Sequence, residues 1–477
     1  MKLSLSLALG LLFALLALAS AAHPGFKVTL TESGLNYARE VAVEYLEKRF
    51  ATVHVPDESG DAHAPVVGKI KWELKDIVMS GLRLPRSSIN ILPGRGVAVS
   101  IDQAALEIKM NFHYREHHWP HIKGHGHLVI HASGINIAVD IHVGEQNARP
   151  TMSVISSHCS IGDLSIKEHG GPSWLYNFFL KVLHKMIQKA AEKAVGSSIE
   201  NLLNHGGNEA LQTIPLAERF SNIAEVDYSL VGGPTFGHNY LTINAKGEFY
   251  YLPHKQEAPF AAQPMPDEIN GEMMQIMLSD FVPDSASFVF RESGKMTHIL
   301  QDKDLPKWAP IRLNTNSWSH ILPDLTKKYP NLEMQAELHT TSPPKATFSH
   351  DGIRVAGPGQ VVVSVLPHGG APVPVFALNI DLTTSAKVTV RDGRIFTELS
   401  YLQSPITVAF SHVGTITVSE VDHIIKTLCT DAIVPFFNYY LSHGVNIPTI
   451  KGVHFVEPHI AYGPSYLAIA TNIHYTG

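Results

Sequence analysis

From Pro65 to about Ile166 the chain runs through segments such as GVAVSIDQAALEIKMNF, HLVIHASGINIAVDIHV and TMSVISSHCSIGDLSI, where apolar and polar residues alternate between Gly, Pro and Asn clusters. Period-two alternation puts successive side chains on opposite faces, so these segments predict antiparallel strands with one face buried. Two helical stretches flank them. TESGLNYAREVAVEYLEKRF (31–50) places Leu35, Ala38, Val41, Ala42, Tyr45, Leu46 and Phe50 at helical spacing, and PSWLYNFFLKVLHKMIQKAAEKAVGSSIENLL (172–203) carries Leu175, Phe178, Phe179, Val182, Leu183, Met186 and Ile187. Further strands are expected in VDYSLVGGPTFGHNYLTINAKGEFYYL, and PHKQEAPFAAQPMPDE (253–268) reads as a Pro-rich linker.

Beyond the linker the same grammar returns. A short helix is expected near EMMQIMLSDFV, strands at SASFVFRES and MTHILQ, a helix near HILPDLTKKYP, alternation from Met334 to Phe410, and a long helix over 417–444. VHFVEPHIAY and YLAIATNIHY close the chain as strands. The reading is an α+β chain of two similar halves, each a twisted antiparallel sheet with long helices, although no residue-level repeat is visible.

Length and composition bound the function. A chain of 477 residues with 44% hydrophobic content can form two or three globular domains. Lys2, the apolar run Leu3–Leu18 and then Ala19, Ser20, Ala21 and Ala22 have the order of a secretory signal peptide, too short for a spanning helix. A secreted, extracellular protein is expected. The net charge of −6 gives no sign of a nucleic-acid partner, and nothing in the sequence implies more than a monomer. Cys159 and Cys429, the two cysteines, lie far apart in sequence and exclude a disulfide framework. No G-x-S-x-G elbow, P-loop or framed catalytic cysteine is present, so a binding or transfer protein is expected in place of an enzyme, with no cofactor.

HPGFKVTLTESGLNYA, SWLYNFFLKVLHKMI, VDYSLVGGP followed by AKGEFYYLPHKQEAPFAAQPMP, FRESGKMTHIL, LPDLTKKYPNLEMQAELHTTSPP and GVNIPTIKGVHFVEPHIAYGPSYLAIATNIHY stand in that order along the chain. In these blocks the sequence resembles the bactericidal permeability-increasing and lipopolysaccharide-binding protein family, which also includes cholesteryl ester and phospholipid transfer proteins. The resemblance implies an elongated boomerang of two similar barrels joined by a central sheet, each barrel holding a phospholipid. On that pattern the divisions are a signal peptide at 1–22, an N-terminal lipid-binding barrel at 23–221, a central-sheet contribution at 222–251, a linker at 252–268 and a C-terminal lipid-binding barrel at 269–477. The N-terminal pocket would be lined by Leu35, Ala38, Leu46, Phe178, Val182 and Met186.

The resemblance also implies two departures. The family's N-terminal disulfide would join a strand near Cys159 to the second long helix, where this chain has no cysteine and carries Gly196, so the bridge is expected to be absent. The family's lysine-rich tip, which would meet the anionic phosphates of lipopolysaccharide, aligns with HYREHHWPHIK. Here it keeps Arg115, Trp119 and Lys123, with Lys167 on a neighbouring loop, and places His117, His118 and His121 beside Glu116 and Glu168. Residues 23–230 hold 20 Lys and Arg against 22 Asp and Glu, so the N-terminal half is not basic overall. The histidines leave three readings open: a pH-dependent anionic-lipid tip, a metal site drawn from His117, His118, His121, His125 and His127, and a plain surface hairpin. No established metal spacing such as H-E-x-x-H is present, and no metal is expected. Two functions remain, antibacterial lipid binding and carriage of phospholipid or another hydrophobic ligand without a defence role.

Overall fold

The computed structural model describes residues 23–476 apart from 50–51, 65–67, 118–121, 170–183, 268–270, 306, 308 and 310. Two eight-stranded antiparallel sheets stand on either side of a six-stranded one. The fold is α+β, with each outer sheet curled around its own apolar core.

The N-terminal sheet is built around one long hairpin, Gly96–Glu116 with Lys123–Gln146. Strict alternation turns Ile108, Met110, Phe112 and Tyr114 inward against Leu128, Ile130 and Ala132. Gly68–Arg83 and Arg149–Ser160 flank the hairpin, while Arg86–Leu92 pairs with its first strand and Asp163–His169 with its second. Two strands at Thr52–Val55 and Glu58–Ala64 lie ahead of the alternation the sequence displays, and both pair with Gly68–Arg83. Glu58–Ala64 has short polar Ser59 and Asp61 on either side of Gly60, where an added Cβ would stand 2.7 Å from the ring of Trp72.

The C-terminal sheet repeats this plan. Its long hairpin is Gly352–Leu366 with Val373–Arg391, flanked by Glu333–Thr340 and Arg394–Gln403. Lys345–Ser349 pairs with the first hairpin strand and Ile406–Ser411 with the second. The duplication read from element order is therefore present in the pairing pattern too.

The middle sheet binds the halves together. Phe26–Thr31 lies between Tyr240–Ala245 and Met274–Ser279, and Met274–Ser279 pairs in turn with Tyr466–Tyr475. Within 222–251, Tyr240–Ala245 belongs to this sheet, whereas Ala224–Asp227 and Glu248–Tyr251 join Ala217–Arg219 in a small separate one. The Pro-rich stretch lies against the middle sheet: Ala262 and Met265 are buried, and Lys27 Nζ reaches the Met265 carbonyl at 2.9 Å and Asp267 at 2.8 Å.

Two expected elements exchange type. Met274–Ser279, expected as helix, is a strand, because sheet neighbours on both sides bury nearly every residue and erase the alternation. SASFVFRES, expected as strand, belongs to the helix Phe281–Glu292, which buries Phe281, Ser285, Phe288 and Val289 at i, i+4, i+7 and i+8. The long helices fall where expected: Glu32–Arg49, His184–Asn201 and Val418–Leu428.

Candidate lipid-binding sites

The helix that follows the N-terminal sheet runs as α-helix over His184–Asn201, as π-helix over Leu202–Gly207 and as α-helix again over Asn208–Gln212. Its counterpart does the same: Val418–Leu428, π-helix Cys429–Ile433, then Val434–Leu441. Beyond each π segment one asparagine holds the helix to the sheet. The Asn208 carboxamide accepts from Met152 N–H at 2.9 Å and donates to Met152 C=O at 2.8 Å. Asn438 makes the same fork on Leu399, at 2.8 and 2.9 Å. Each fork satisfies a backbone donor and acceptor of the strand under the helix, a need that apolar packing cannot meet.

Between its helix and its sheet the C-terminal half encloses a cavity of about 470 Å³. Its walls are apolar: Val355, Leu382 and Leu399 from the strands, Ile433 and Phe437 from the helix, and Phe290 from the helix Phe281–Glu292. Lys295, His298, Ala432 and Phe436 line it and are also exposed, so the cavity opens between the edge strand Thr297–Gln301 and the π-helical turn. A site of this size with apolar walls and a polar rim suits an acyl-chain ligand. The sequence pointed to residues of the first half alone. The signal for the second lies in Val434–Leu441, where apolar and aromatic residues surround Asn438 on every side of the helix.

Of the expected N-terminal pocket residues, Leu35 is buried and Leu46 packs on the sheet core together with Val43. Ala38 is exposed on the same helix. The inward stripe of Glu32–Arg49 is Leu35, Arg39, Val43, Leu46 and Glu47; Arg39 bonds the Ser87 carbonyl and Glu47 accepts from Leu84 N–H at 2.7 Å. Phe178 and Val182 lie outside the described residues, and Met186 falls within the helix His184–Asn201.

The tip residues stand at the distal end of the long N-terminal hairpin. Arg115 and Lys123 are cross-strand partners, and Lys71 stands opposite Arg115. His117 gives its backbone N–H to the Lys69 carbonyl at 2.9 Å and sets its Nε2 2.8 Å from Asp61. His118, Trp119 and His121 lie outside the described residues. Lys167 is exposed on the neighbouring strand, opposite Val129.

The pairing registers reveal more than a tip. The outward residues of adjacent strands form rows: Lys71, Arg115 and Lys123; then Glu73, His113 and His125; then Lys75, Asn111 and His127, with position 169 next in register. The rings of His113 and His125 stack with centroids 6.0 Å apart, and His131 faces Glu107 at 3.6 Å. The period-two spacing of His125, His127 and His131 carried this signal. Lysine neighbours hold the carboxylates ionised: Glu73 lies below the usual range through Lys75 and then Lys71, and Glu107 through Lys109. Hydrogen bonding from His117 does the same to Asp61. Among the described residues no three histidine, cysteine or carboxylate groups are placed to hold a metal ion.

Both thiols are free. Cys159 is pushed up to about 11 by burial and then by Glu192, and Cys429, inside the C-terminal core, to about 11 by burial against a hydrogen bond to Ser404. Ile161 N–H donates to Glu192 at 3.1 Å and Ser157 Oγ to Glu200 at 2.6 Å. Gly196 lies midway between those glutamates on the same helix, and no heavy atom, Cys159 included, stands within 4 Å of where its Cβ would be.

Two sheet-and-helix halves that share a middle sheet, one of them around an open apolar cavity, define a duplicated fold with room for an apolar ligand. The chain belongs to the LBP / BPI / CETP family, a family of lipid- and lipopolysaccharide-binding and lipid-transfer proteins: the family's N-terminal domain matches residues 34–206 and its C-terminal domain residues 218–475. It is similar to a bactericidal permeability-increasing protein of Sebastes schlegelii, 30% identical over 98% of both chains. A lipopolysaccharide-binding protein of Homo sapiens is 26% identical over 98% of both, and a phospholipid transfer protein of Mus musculus 23% over 98% of this chain and 93% of its own. A crystal structure of lipopolysaccharide binding protein has the same fold, with a TM-score of 0.65 at 24% identity, covering 95% of this chain and 99% of that one. No helix among the described residues is long and apolar enough to cross a membrane.

Proposed function

We propose that this is a secreted, monomeric protein that carries phospholipid in an apolar pocket in each barrel and engages anionic lipid surfaces, lipopolysaccharide among them, through the tip of its N-terminal sheet in antibacterial defence. The observation that carries the reading is the apolar cavity under the C-terminal helix, open at a rim bearing Lys295 and His298. Each methylene withdrawn from water there contributes roughly 0.8 kcal/mol, enough for two acyl chains to bind tightly without a polar anchor. For the N-terminal barrel the proposed pocket residues are those the sequence points to, Leu35, Ala38, Leu46, Phe178, Val182 and Met186. Relatives named for lipopolysaccharide and for phospholipid transfer support the ligand class.

Organic extraction of the purified protein followed by lipid mass spectrometry should recover about two phospholipids per chain, one for each pocket of the size typical for such ligands. Extraction yielding no lipid would overturn the reading. Leu382→Asp should remove the C-terminal lipid alone, because an unpaired carboxylate would face acyl chains.

Lys69, Lys71, Lys75, Lys109, Lys123, Lys167 and Arg115 share the outward face with the carboxylates Asp61, Glu73 and Glu107, and Asp57 and Asp76 lie close to Lys75. An imidazole gains charge near pH ~6.5, so the tip histidines His117, His118 and His121 would tilt that balance toward positive in mild acid. Binding to phosphatidylglycerol or lipopolysaccharide vesicles should therefore strengthen between pH 7.5 and 5.5, by about a hundredfold at most if three charges form, and weaken with salt. Unchanged pH dependence after replacing these histidines with Gln would leave the hairpin a plain surface and favour carriage without a defence role.

A further inference from the structure

The C-terminal helix presents an unusual stripe to solvent. Ala432, Phe436, Tyr439 and His443 recur at i, i+4, i+7 and i+11, and all four are exposed, Tyr439 at 65%. A solvent-facing stripe ordinarily carries charge. Here residues 432–443 contain no lysine, arginine or carboxylate. The stripe is continuous with the cavity: Ala432 and Phe436 line its interior while remaining exposed at its rim. Across the opening stand Lys295 and His298, with the His298 ring 6.2 Å from that of Phe436. Phe436 also packs edge-on against Phe437 and Tyr440, and Tyr439 against Tyr440 and His443.

An aromatic stripe on one lip of an apolar cavity and cations on the other match the two layers of a lipid surface. Aromatic rings settle where acyl chains meet headgroups, and an ammonium or imidazolium meets phosphate just above. A protein partner would leave the cavity mouth covered and its polar rim without a counterpart. We propose that the stripe Ala432, Phe436, Tyr439 and His443, with Lys295 and His298, is a docking surface for a phospholipid bilayer, and that the lipid of the C-terminal cavity passes through the mouth it surrounds. The proposal rests on the reading of the cavity as a lipid site, and it assigns the C-terminal half a membrane contact of its own, separate from the N-terminal tip.

The opening is framed by the π-helical turn Cys429–Ile433, from which Cys429, Ala432 and Ile433 all line the cavity. Asn438 fixes the helix to Leu399 one turn beyond. The mouth therefore lies where the helix has its weakest backbone geometry, upstream of a fixed point.

The test uses full-length protein and phosphatidylcholine vesicles doped with a diazirine-bearing phosphatidylcholine. Photocrosslinks to cavity peptides 281–301 and 428–445 are followed over time by mass spectrometry. Tyr439 does not line the cavity, so Tyr439→Ser should slow the appearance of these crosslinks roughly tenfold, the loss expected when an aromatic side chain no longer leaves water on docking. Tyr439→Trp should restore the rate, and the same lipid delivered from dilute ethanol should load wild type and Tyr439→Ser equally. An unchanged rate for Tyr439→Ser overturns the docking surface. A slower rate accompanied by conversion of a wild-type dimer to a monomer in sedimentation velocity assigns the stripe to a second copy of the chain and also overturns it. Crosslinks that appear from neither source overturn the cavity reading itself, and the docking proposal with it.

Discussion

The two barrels keep the same inside and differ on the outside. Each has a long hairpin with a side strand on either arm, a helix interrupted by a π segment, and an asparagine forked onto one backbone residue of the strand beneath. Each of these features sets helix against sheet. The N-terminal hairpin, however, ends in residues 117–122 behind rows of histidine and lysine, while the corresponding C-terminal turn, 367–372, is PHGGAP. The C-terminal helix exposes two aromatics within one turn, Phe436 and Tyr439, where the helix Glu32–Arg49 of the N-terminal half exposes Tyr45. The difference teaches that the pocket framework tolerates little change, whereas the face each barrel offers to its surroundings is free to specialise.

The largest expected effect comes from restoring a link in the N-terminal barrel that the C-terminal one never has. Gly196→Cys should form a disulfide with Cys159 under mild oxidation, because the helix face already aligned through Glu192 and Glu200 leaves that position open. Closing a loop of this length should stabilise by about 4 kcal/mol. Thiol counting should then fall from three in the reduced variant to one after oxidation, with the remaining thiol, Cys429, reacting only on denaturation; three thiols in the oxidised variant would place the helix out of reach.

Smaller, and more telling for the comparison, is removal of the forks. Asn208→Ala and Asn438→Ala should each cost about 2 kcal/mol, since each leaves a backbone N–H and C=O without its partner. If the two asparagines are one device used twice, chemical denaturation should give matching losses. A loss at only one site would mean that the other half is held by packing alone.

The smallest effect separates the halves by pH. Asp284, on the helix Phe281–Glu292, is pushed up to about 6 by burial, although Ala346 N–H donates to it at 2.7 Å. With the folded value above the unfolded one, the native state binds the extra proton between pH ~4 and ~6, and stability falls as pH rises through that window. Asp284→Asn should therefore stabilise the protein by about 1 kcal/mol at pH 7.5 and flatten its thermal stability between pH 4 and 6. An unchanged pH profile would show that Asp284 is not the source.

Much of this was legible in the sequence because period-two alternation survives wherever one sheet face meets a core and the other meets water. Gly96–Glu116 and Lys123–Gln146 are the plainest cases. Legibility failed where that asymmetry disappears. Met274–Ser279 is buried on both faces, and Phe281–Glu292 hides its helical stripe behind a local Ser-Phe-Val-Phe alternation. The inward stripe of Glu32–Arg49 was only partly legible because Arg39 and Glu47, polar residues, occupy it and spend their side chains on strand backbone. The forks of Asn208 and Asn438 were invisible for the same reason: one polar residue on a helix gives no sign of the strand it will meet. The histidine rows needed the registers, which set His113 beside His125 and His127 beside His169 across three strands.

The middle sheet also governs how the chain comes to be made. Phe26–Thr31 has one partner in Tyr240–Ala245, but its other neighbour, Met274–Ser279, is completed only by Tyr466–Tyr475, far along the chain. The N-terminal barrel rests on local hairpins and can assemble as it emerges, while the apolar edge of Met274–Ser279 stays open until Tyr466–Tyr475 has been made. An open apolar edge of that kind invites pairing with another nascent chain. A chain without Tyr466–Tyr475 would keep Phe26–Thr31 between its two neighbours but leave Met274–Ser279 a strand seeking any partner in reach.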